Sequence, residues 1–214
     1  RVMTHEIRNS VTPIASLSAD LLKHLDPVPI SRQREGLEVI NSQAKNLTAF
    51  LDSYHRLTHL PEPEYKTVTI QALFTKLERL LQAEPGSERI VYSGGKAGKS
   101  TDKELQIYGD VNLVTLALIN LIRNALQAVE GQRDGIVRVD AYAGATGRLF
   151  ITITDNGPGI PPERLSAVFT PFYSTKSGGS GIGLPISQRI MQLHGGQLSV
   201  LSIQNVRTTF KMEF

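Results

Sequence analysis

The sequence predicts an α+β protein in which a helical hairpin is followed by a two-layer α/β sandwich. Apolar residues recur at helical spacing through residues 1–60, and short β-rich runs alternate with helical stretches from about Tyr65 onward. The chain has 214 residues, of which 40% are hydrophobic and 20% charged, so it can bury one large core or two modest ones. It contains no cysteine, which excludes a disulfide scaffold and a Cys-ligated zinc site.

Residues 1–60 are predicted to form two helices that pair along a narrow seam. The apolar positions step by four and three residues, which is the spacing of a helix–helix seam. They are Ile7, Val11, Ile14, Ser18, Leu21 and Leu25 in the first helix and Leu37, Ile40, Ala44, Leu47, Leu51 and Tyr54 in the second. The prolines within 26–29 separate the helices, and Ser31 is the expected N-cap of the second. Because such a hairpin lacks a complete core, we expect two copies to form a dimeric four-helix bundle.

From about residue 66 the pattern becomes that of a mixed α/β domain. The proline-rich segment 61–65 ends the helical region and is predicted to be a linker, so the expected domains are 1–60 and 66–214. Strands are predicted at 66–70, 89–93, 136–142, 149–154, 197–202 and 208–214, and helices at about 71–82, 111–129 and 184–193.

The C-terminal quarter of the chain is basic, which is compatible with nucleic acid, a membrane surface, a small anionic ligand or simply a scattered basic surface. The glycine-rich segments 155–159 and 177–184 favour a small phosphate-bearing ligand. The net charge is +3, and residues 164–214 carry five basic residues against one acid. No run of lysine and arginine occurs there, and no aromatic residues are interleaved with the basic ones, so no nucleic-acid partner is expected. No apolar run approaches the roughly 20 residues that span a bilayer, so membrane attachment is expected only through segments upstream of Arg1.

The predicted helix 111–129 is apolar nearly all round except for one polar stripe. Asn120, Arg123, Asn124 and Gln127 fall at i, i+3, i+4 and i+7. Such a stripe is either a solvent-facing strip or a ligand-binding face. Two asparagines one turn apart favour the second interpretation, because amide oxygens so placed can hold a hard cation or a polar ligand.

Two glycine-bearing segments follow that helix. The first, Asp155-Asn156-Gly157-Pro158-Gly159, comes directly after a predicted strand. It is either a plain turn or a loop that a ligand approaches closely, with an acid able to accept a hydrogen bond from an exocyclic amine. The second, 177–184, opens a helix and is typical of a phosphate cradle, although flexible loops are also glycine-rich. The segment 161–176 between them is predicted to be a lid with hydrophobic anchors at Phe169, Phe172 and Tyr173.

Near the start of the first helix, His5 is a candidate nucleophile. It lies two residues before the seam residue Ile7, about 200° round the helix, and is therefore expected to face outward. An exposed imidazole is neutral and available near pH 7, and Glu6 follows it directly. Pro13 is expected to free the carbonyl of Asn9 and to bend the helix beyond His5. The alternative is an ordinary surface histidine.

Together these segments resemble the cytoplasmic core of a bacterial sensor histidine kinase, in order and spacing, over nearly the whole chain. The segment 5–14 resembles the H box, Asn120-Leu121-Ile122-Arg123-Asn124-Ala125 the N box, Asp155-Asn156-Gly157-Pro158-Gly159 the G1 box, Phe169-Thr170-Pro171-Phe172 the F box, and Gly179-Ser180-Gly181-Ile182-Gly183-Leu184 the G2 box. The H box and the Phe-Tyr-Ser-Thr-Lys sequence of the lid are most similar to the nitrogen-regulation (NtrB/NtrY-like) branch.

The resemblance implies a dimerisation and histidine-phosphotransfer hairpin joined to an ATP-binding domain of the Bergerat (GHKL) type, which uses ATP and Mg²⁺. It implies that His5 is the phosphoacceptor, that Glu6 orients its ring and accepts a proton, and that Asn9 positions water for dephosphorylating a partner. It also implies Mg²⁺ at Asn124, with Asn120 beside it, and the adenine amine at Asp155. Further nucleotide-binding positions implied are Gly157, Gly159, Lys176, Gly179, Gly181, Gly183 and Thr208.

The implied activity is phosphorylation of His5 from ATP, followed by transfer to an aspartate of a response regulator receiver domain, with phosphatase activity toward that regulator. The implied protein is a homodimer on the cytoplasmic side of a membrane-anchored sensor. Two departures from the family pattern stand out: Ser10 where a proline is usual, and Arg207 where a glycine is usual. Two alternatives stay open, a non-kinase ATPase of the same superfamily and a degenerate nucleotide-binding sensor module without kinase activity.

Overall fold

A computed structural model describes residues 11–20, 30–94, 104–145, 147–175 and 180–214. The chain divides into two compact units, Arg1–Leu60 and Pro61–Phe214. The first unit contains helix α1 at residues 11–20 and helix α2 at Ile30–Thr58. The predicted break at 26–29 lies outside the described residues.

Helix α2 begins earlier than the sequence suggested. Its first residue is Ile30, which follows a proline in the sequence, so Ser31 lies inside the first turn. The prediction that Ser31 is the N-cap is therefore wrong, because an N-cap residue precedes the first helical residue.

Several residues of the predicted seam are exposed on the first unit. Leu37 is 59% exposed and Leu51 48%, and Val11 on α1 is 42% exposed. Large apolar side chains left in water at this spacing fit the expectation of a second helical hairpin, and the dimer stays a prediction.

The second unit alternates strands with helices, which confirms the predicted α+β class. The strands are β1 Lys66–Thr69, β2 Ile90–Gly94, β3 Gln106–Gly109, β4 Val137–Ala143, β5 Leu149–Asp155, β6 Gln197–Ile203 and β7 Arg207–Glu213. The helices are α3 Ile70–Leu81, α4 Val111–Ala128, α5 Pro162–Leu165 and α6 Gly183–Leu193, with a 3₁₀ turn at Ser87–Arg89. Strand β3, helix α5 and the 3₁₀ turn were not expected.

Five strands form one twisted sheet in the order β2-β4-β5-β7-β6. Strands β2 and β4 are parallel, and the remaining neighbours are antiparallel. Strands β1 and β3 form a separate antiparallel pair. Helix α4 packs on β4 and β5 and contacts α3 and α6, while α6 packs on β6, so helices form the second layer.

Helix α4 is the central helix of this layer. Nine of its residues are buried, including Leu118, Leu121 and Ile122, which are fully excluded from solvent. Its length and mean hydropathy of 1.3 also satisfy the criteria for a membrane span, but half of it is buried inside the unit. A core helix of this kind passes the same test, so the hydropathy follows from packing on the sheet.

Candidate nucleotide-binding site

The predicted polar stripe of α4 divides in the folded unit. Asn120 and Asn124 are half-buried, and the Asn120 side-chain amide lies 3.4 Å from the carbonyl of Gly183 at the start of α6. Arg123 instead binds the carboxylate of Glu84, with its Nε at 3.1 Å. Asn120 therefore contacts the beginning of α6 and Asn124 is half-buried one turn further along α4, whereas Arg123 and Gln127 are exposed.

Asp155 occupies the last position of β5, where it is 2% exposed. Its Oδ1 accepts a hydrogen bond from the backbone N–H of Gly157 at 2.9 Å. A Cβ on Gly157 would lie 2.8 Å from that same oxygen and 2.9 Å from the carbonyl of Ala128. The absence of a side chain at Gly157 thus keeps the carboxylate in place beside the end of α4.

Thr208 lies directly opposite Asp155 across the β5–β7 pairing and is 4% exposed. Its hydroxyl is 3.0 Å from the hydroxyl of Ser202 on β6. Arg207, which replaces the usual glycine, is the first residue of β7 and is exposed, so its side chain leaves the buried threonine undisturbed.

Ser202 is a residue of this region that the sequence analysis did not single out. Its hydroxyl accepts a hydrogen bond from the backbone N–H of Ile160 at 2.8 Å, which ties the loop after β5 to the far strand of the sheet. The alternation of side chains along β6 could have identified it. Ser202 lies on the same face as the buried Leu198, and a serine on that face stands where an apolar residue is expected.

The side chain of Asn156 joins two segments of the chain by hydrogen bonds and does more than form a turn. Its side chain donates to the carbonyl of Asp134 at 2.8 Å and accepts from the N–H of Ile136 at 2.7 Å. These two bonds connect the loop after β5 to the chain entering β4.

Gly159 makes the closest backbone approach in the loop. Its φ is +73°, and a Cβ there would lie 2.6 Å from the carbonyl oxygen of Ile203. The N–H of Asn205 also donates to the carbonyl of Pro158 at 2.7 Å. A larger residue would therefore push the loop away from the β6–β7 turn.

The described part of the predicted lid, residues 161–175, makes two contacts in its second half. The ring of Phe169 meets that of Phe210 edge-on, with centroids 6.5 Å apart, which fixes this part of the lid on the sheet. Three residues later the N–H of Phe172 donates to the carbonyl of Gly181 at 3.0 Å. Lys176 and Gly179 lie outside the described residues, as do His5, Glu6 and Asn9.

The described residues suit a magnesium nucleotide. A buried carboxylate can accept a hydrogen bond from an exocyclic amine, and two side-chain amides one turn apart can supply oxygen ligands. At Gly157, Gly159 and Gly181 a Cβ would collide with neighbouring atoms, so only glycine allows the close backbone packing seen there. Among the described residues no cluster of three or more His, Cys, Asp and Glu side chains forms a metal cage. A Mg²⁺ ion held here would thus depend on amide and phosphate oxygens together with water, several molecules of which this ion usually retains.

Known proteins share this architecture. The family described as "Histidine kinase-, DNA gyrase B-, and HSP90-like ATPase" matches residues 109–214. The sensor histidine kinase ZraS of Salmonella typhimurium is 31% identical over 209 residues, covering 97% of this chain and 43% of ZraS. The sensory histidine kinase/phosphatase NtrB of Vibrio alginolyticus is 31% identical over 215 residues, covering 94% of this chain and 57% of NtrB. The chain thus spans about half the length of these relatives.

Solved structures give the same result. The catalytic domain of histidine kinase ThkA matches with a TM-score of 0.58 and 25% identity, over 71% of this chain and 95% of that domain. ThkA in complex with the response regulator protein TrrA matches with a TM-score of 0.63 over 99% of this chain and 59% of that one, and its 22% identity shows the fold alone. Sequence motifs, sheet topology and relatives agree: residues 109–214 match the ATPase domain of this family, and the chain as a whole is similar to the catalytic cores of bacterial sensor histidine kinases.

Proposed function

We propose that this chain is an ATP-dependent protein histidine autokinase that phosphorylates His5 and passes the phosphoryl group to a response regulator. The observation that carries the proposal is the buried Asp155 at the end of β5, opposite Thr208 and beside the glycine loop. A buried carboxylate at this position can also accept a hydrogen bond from the amine of an adenine ring, and the low dielectric around it strengthens such a bond.

The nucleotide would lie between this carboxylate and the two asparagines of α4. Asp155 would accept from the adenine amine, with Thr208 beside it, while Gly157 and Gly159 admit the base and sugar. Asn124, assisted by Asn120, would hold Mg²⁺, which neutralises charge on the transferring phosphoryl group. Gly179, Gly181 and Gly183, with Lys176, would enclose the phosphates at the start of α6.

The transfer itself requires little more than positioning. A neutral ring nitrogen of His5 attacks the γ-phosphorus, a P–N bond forms, and the bond from the γ-phosphorus to the β,γ-bridging oxygen breaks as ADP leaves. Glu6 accepts the proton from the other ring nitrogen. The phosphoryl group then passes to an aspartate of the regulator, and Asn9 positions the water that later removes it.

The partners follow from the helical unit and the relatives. The exposed apolar residues Val11, Leu37 and Leu51 support a homodimer through the first unit. The complex between ThkA and TrrA supports a response regulator as the phosphoryl acceptor. We place the chain on the cytoplasmic side, where ATP and response regulators are available.

The test is incubation with γ-labelled ATP and Mg²⁺, followed by acid and base treatment of the labelled protein. Label that is lost in acid and kept in base identifies phosphohistidine. His5→Gln should abolish the label while ATP still binds, and His59→Gln, which changes an exposed histidine, should leave it intact. Label on the His5→Gln protein would refute the assignment, and release of free phosphate without label would indicate a non-kinase ATPase.

A further inference from the structure

The end of the linker is fixed to the ATP-binding unit by two hydrogen bonds. The backbone N–H of Glu64 donates to Oδ2 of Asp110 at 2.8 Å, and the hydroxyl of Tyr65 donates to the carbonyl of Leu193 at 2.6 Å. Residues 64 and 65 lie in the segment 61–65 that was predicted to be a linker, and the structure groups both with the unit that follows them.

The acceptors lie at the ends of the two helices that carry the nucleotide motifs. Asp110 is the N-cap of α4, since its Oδ1 accepts from the N–H groups of Asn112 and Leu113 at 2.8 and 3.0 Å. Leu193 is the last residue of α6. The linker is therefore attached to the start of the helix that bears Asn120 and Asn124, and to the end of the helix that begins at Gly183.

His194 joins these two helix ends to each other. Its Nε2 accepts from the N–H of Asp110 at 2.9 Å, and its Nδ1 is 2.7 Å from the carbonyl of Ile190. An acceptor Nε2 carries no hydrogen, so the network assigns the hydrogen to Nδ1, which donates to Ile190. Both ring nitrogens are thus used within the unit.

Packing of the rings makes the attachment compact. Tyr65 stacks on Tyr108, with centroids 5.5 Å apart, and meets the ring of His194 at the same separation. Gly109 leaves the necessary space, because a Cβ there would lie 2.7 Å from Cδ2 of His194. We refer to Glu64, Tyr65, Asp110 and His194 as the linker clamp.

We propose that Asp110, His194 and Tyr65 are positioning residues for the intramolecular phosphoryl transfer, because the linker clamp fixes the direction in which the chain leaves the ATP-binding unit. Residues 59–63, between the end of α2 at Thr58 and Glu64, then remain to pivot, and two of these five residues are proline. This inference rests on the proposed autokinase function. Without the clamp the pivot would grow from five residues to seven, which alone lowers the effective concentration of the phosphoacceptor about 1.7-fold. Loss of the fixed direction adds to that, so we expect the rate to fall by about three- to tenfold.

The experiment combines phosphorylation kinetics with amide hydrogen exchange on the full chain. Tyr65→Phe removes only the hydroxyl, and His194→Ala removes the ring. His194→Gln is the conservative variant, since its side-chain oxygen can replace Nε2 as an acceptor. Tyr142→Phe, which changes an exposed tyrosine on β4, is the matched control.

If the proposal is correct, Tyr65→Phe and His194→Ala exchange faster at residues 61–66 and phosphorylate His5 more slowly at saturating ATP. The KM for ATP stays unchanged, and His194→Gln recovers most of the rate. A general loss of folding would change the KM and the exchange of the whole unit together. Faster exchange with an unchanged rate would overturn the positioning role, and unchanged exchange in both variants would overturn the clamp.

The failure of the proposed function has a different signature. In that case the unaltered chain acquires no label, and the positioning role fails with it, while the exchange data still decide whether the clamp holds the linker.

Discussion

Phe172 and Gly181 meet through their backbones, and both have a left-handed conformation. Their φ angles are +66° and +65°, and the N–H of Phe172 donates to the carbonyl of Gly181. A Cβ on Gly181 would lie 2.6 Å from the carbonyl carbon of Phe172. A non-glycine residue with positive φ, here a bulky phenylalanine, is uncommon in folded proteins, and such positions concentrate at ligand clamps. The contact therefore holds the predicted lid against the segment that leads into α6.

Gly181→Ala should weaken nucleotide binding by about tenfold or more. The substitution adds about 1–2 kcal/mol of backbone strain and displaces the Phe172 backbone. Isothermal titration with ATP and Mg²⁺ measures the effect. Gly147→Ala is the matched control, since its φ is +79° but nothing lies within 4 Å of the added Cβ. Equal affinity of the two variants would show that the Phe172–Gly181 contact has no part in holding the nucleotide.

Asp155→Asn should lower the affinity for ATP by at least about tenfold while the protein stays folded. A hydrogen bond to a charged group is worth about 1.5–3 kcal/mol, and the neutral amide gives up that charge. Asp140→Asn on the neighbouring strand β4 changes a carboxylate that pairs with Ser93, so binding should be unaffected. Circular dichroism of both variants checks the fold, and an Asp155→Asn protein that binds normally would remove the central observation from the proposed site.

Much of the fold follows from local periodicity, which is why the predicted helices and the longer strands lie within a few residues of the observed ones. Helix α4 is an example, because its apolar pattern and its cap at Asp110 are both contained in one segment. Strand β3 was missed because four residues, Gln106–Gly109, carry too little alternation to be distinguished from a loop.

In the candidate site, too, features contained in one segment were predictable from the sequence, and features that depend on tertiary packing were not. Asp155 and the glycines were identifiable because their motifs are contiguous. The partnership of Asp110 with His194 was not, because these residues are 84 positions apart and only the packing of α4 against α6 brings them together. For the same reason, nothing in segment 61–65 revealed that Glu64 and Tyr65 are bound rather than free.

Asp110 should stabilise the unit at neutral pH and lose that contribution in acid. Burial raises the pKa of Asp110, but the backbone N–H groups of Leu113, Glu64 and Asn112, which donate to its carboxylate, outweigh burial and hold the pKa below its ordinary value. A lowered pKa means that the stability is present above the unfolded pKa of about 4 and disappears as the pH falls through the folded value.

The measurement is urea unfolding of Asp110→Asn and of the unaltered chain at pH 7, 5 and 3. Asparagine keeps a capping oxygen, so the variant isolates the charge, and we expect a difference of about 1 kcal/mol at pH 7 that vanishes toward pH 3. The exposed Asp134→Asn serves as the control. A difference that is constant across the three pH values would contradict the role of the charge.

Tyr92→Phe should leave the stability unchanged or raise it by up to about 1 kcal/mol. The hydroxyl of Tyr92 is buried and has no hydrogen-bond partner among the residues that the structure describes. Removing a polar group of this kind relieves a desolvation cost, while the ring keeps its contact with Phe74 at 5.5 Å. Thermal unfolding of Tyr92→Phe beside the exposed Tyr142→Phe measures the change, and a clear loss of stability would indicate an unrecognised partner.

The same hydroxyl should resist ionisation. Burial, and then the negative charge of Glu78, raise the pKa of Tyr92 to about 12. Absorbance titration of the unaltered chain and of Tyr92→Phe should therefore give the same curve up to about pH 11. A difference between the curves near pH 10 would show that the hydroxyl is in contact with water.

The pairing of Asp155 with Thr208 places the base end of the proposed nucleotide site inside the sheet, whereas Phe172 and Gly181, at its proposed phosphate end, lie in loops. Parts of a protein with few buried contacts open at lower free energy than its core strands. On gentle warming the phosphate end should therefore melt first, and the base end should persist until the sheet itself unfolds. Over that interval the protein would lose its preference for ATP over adenosine while it still recognises the purine.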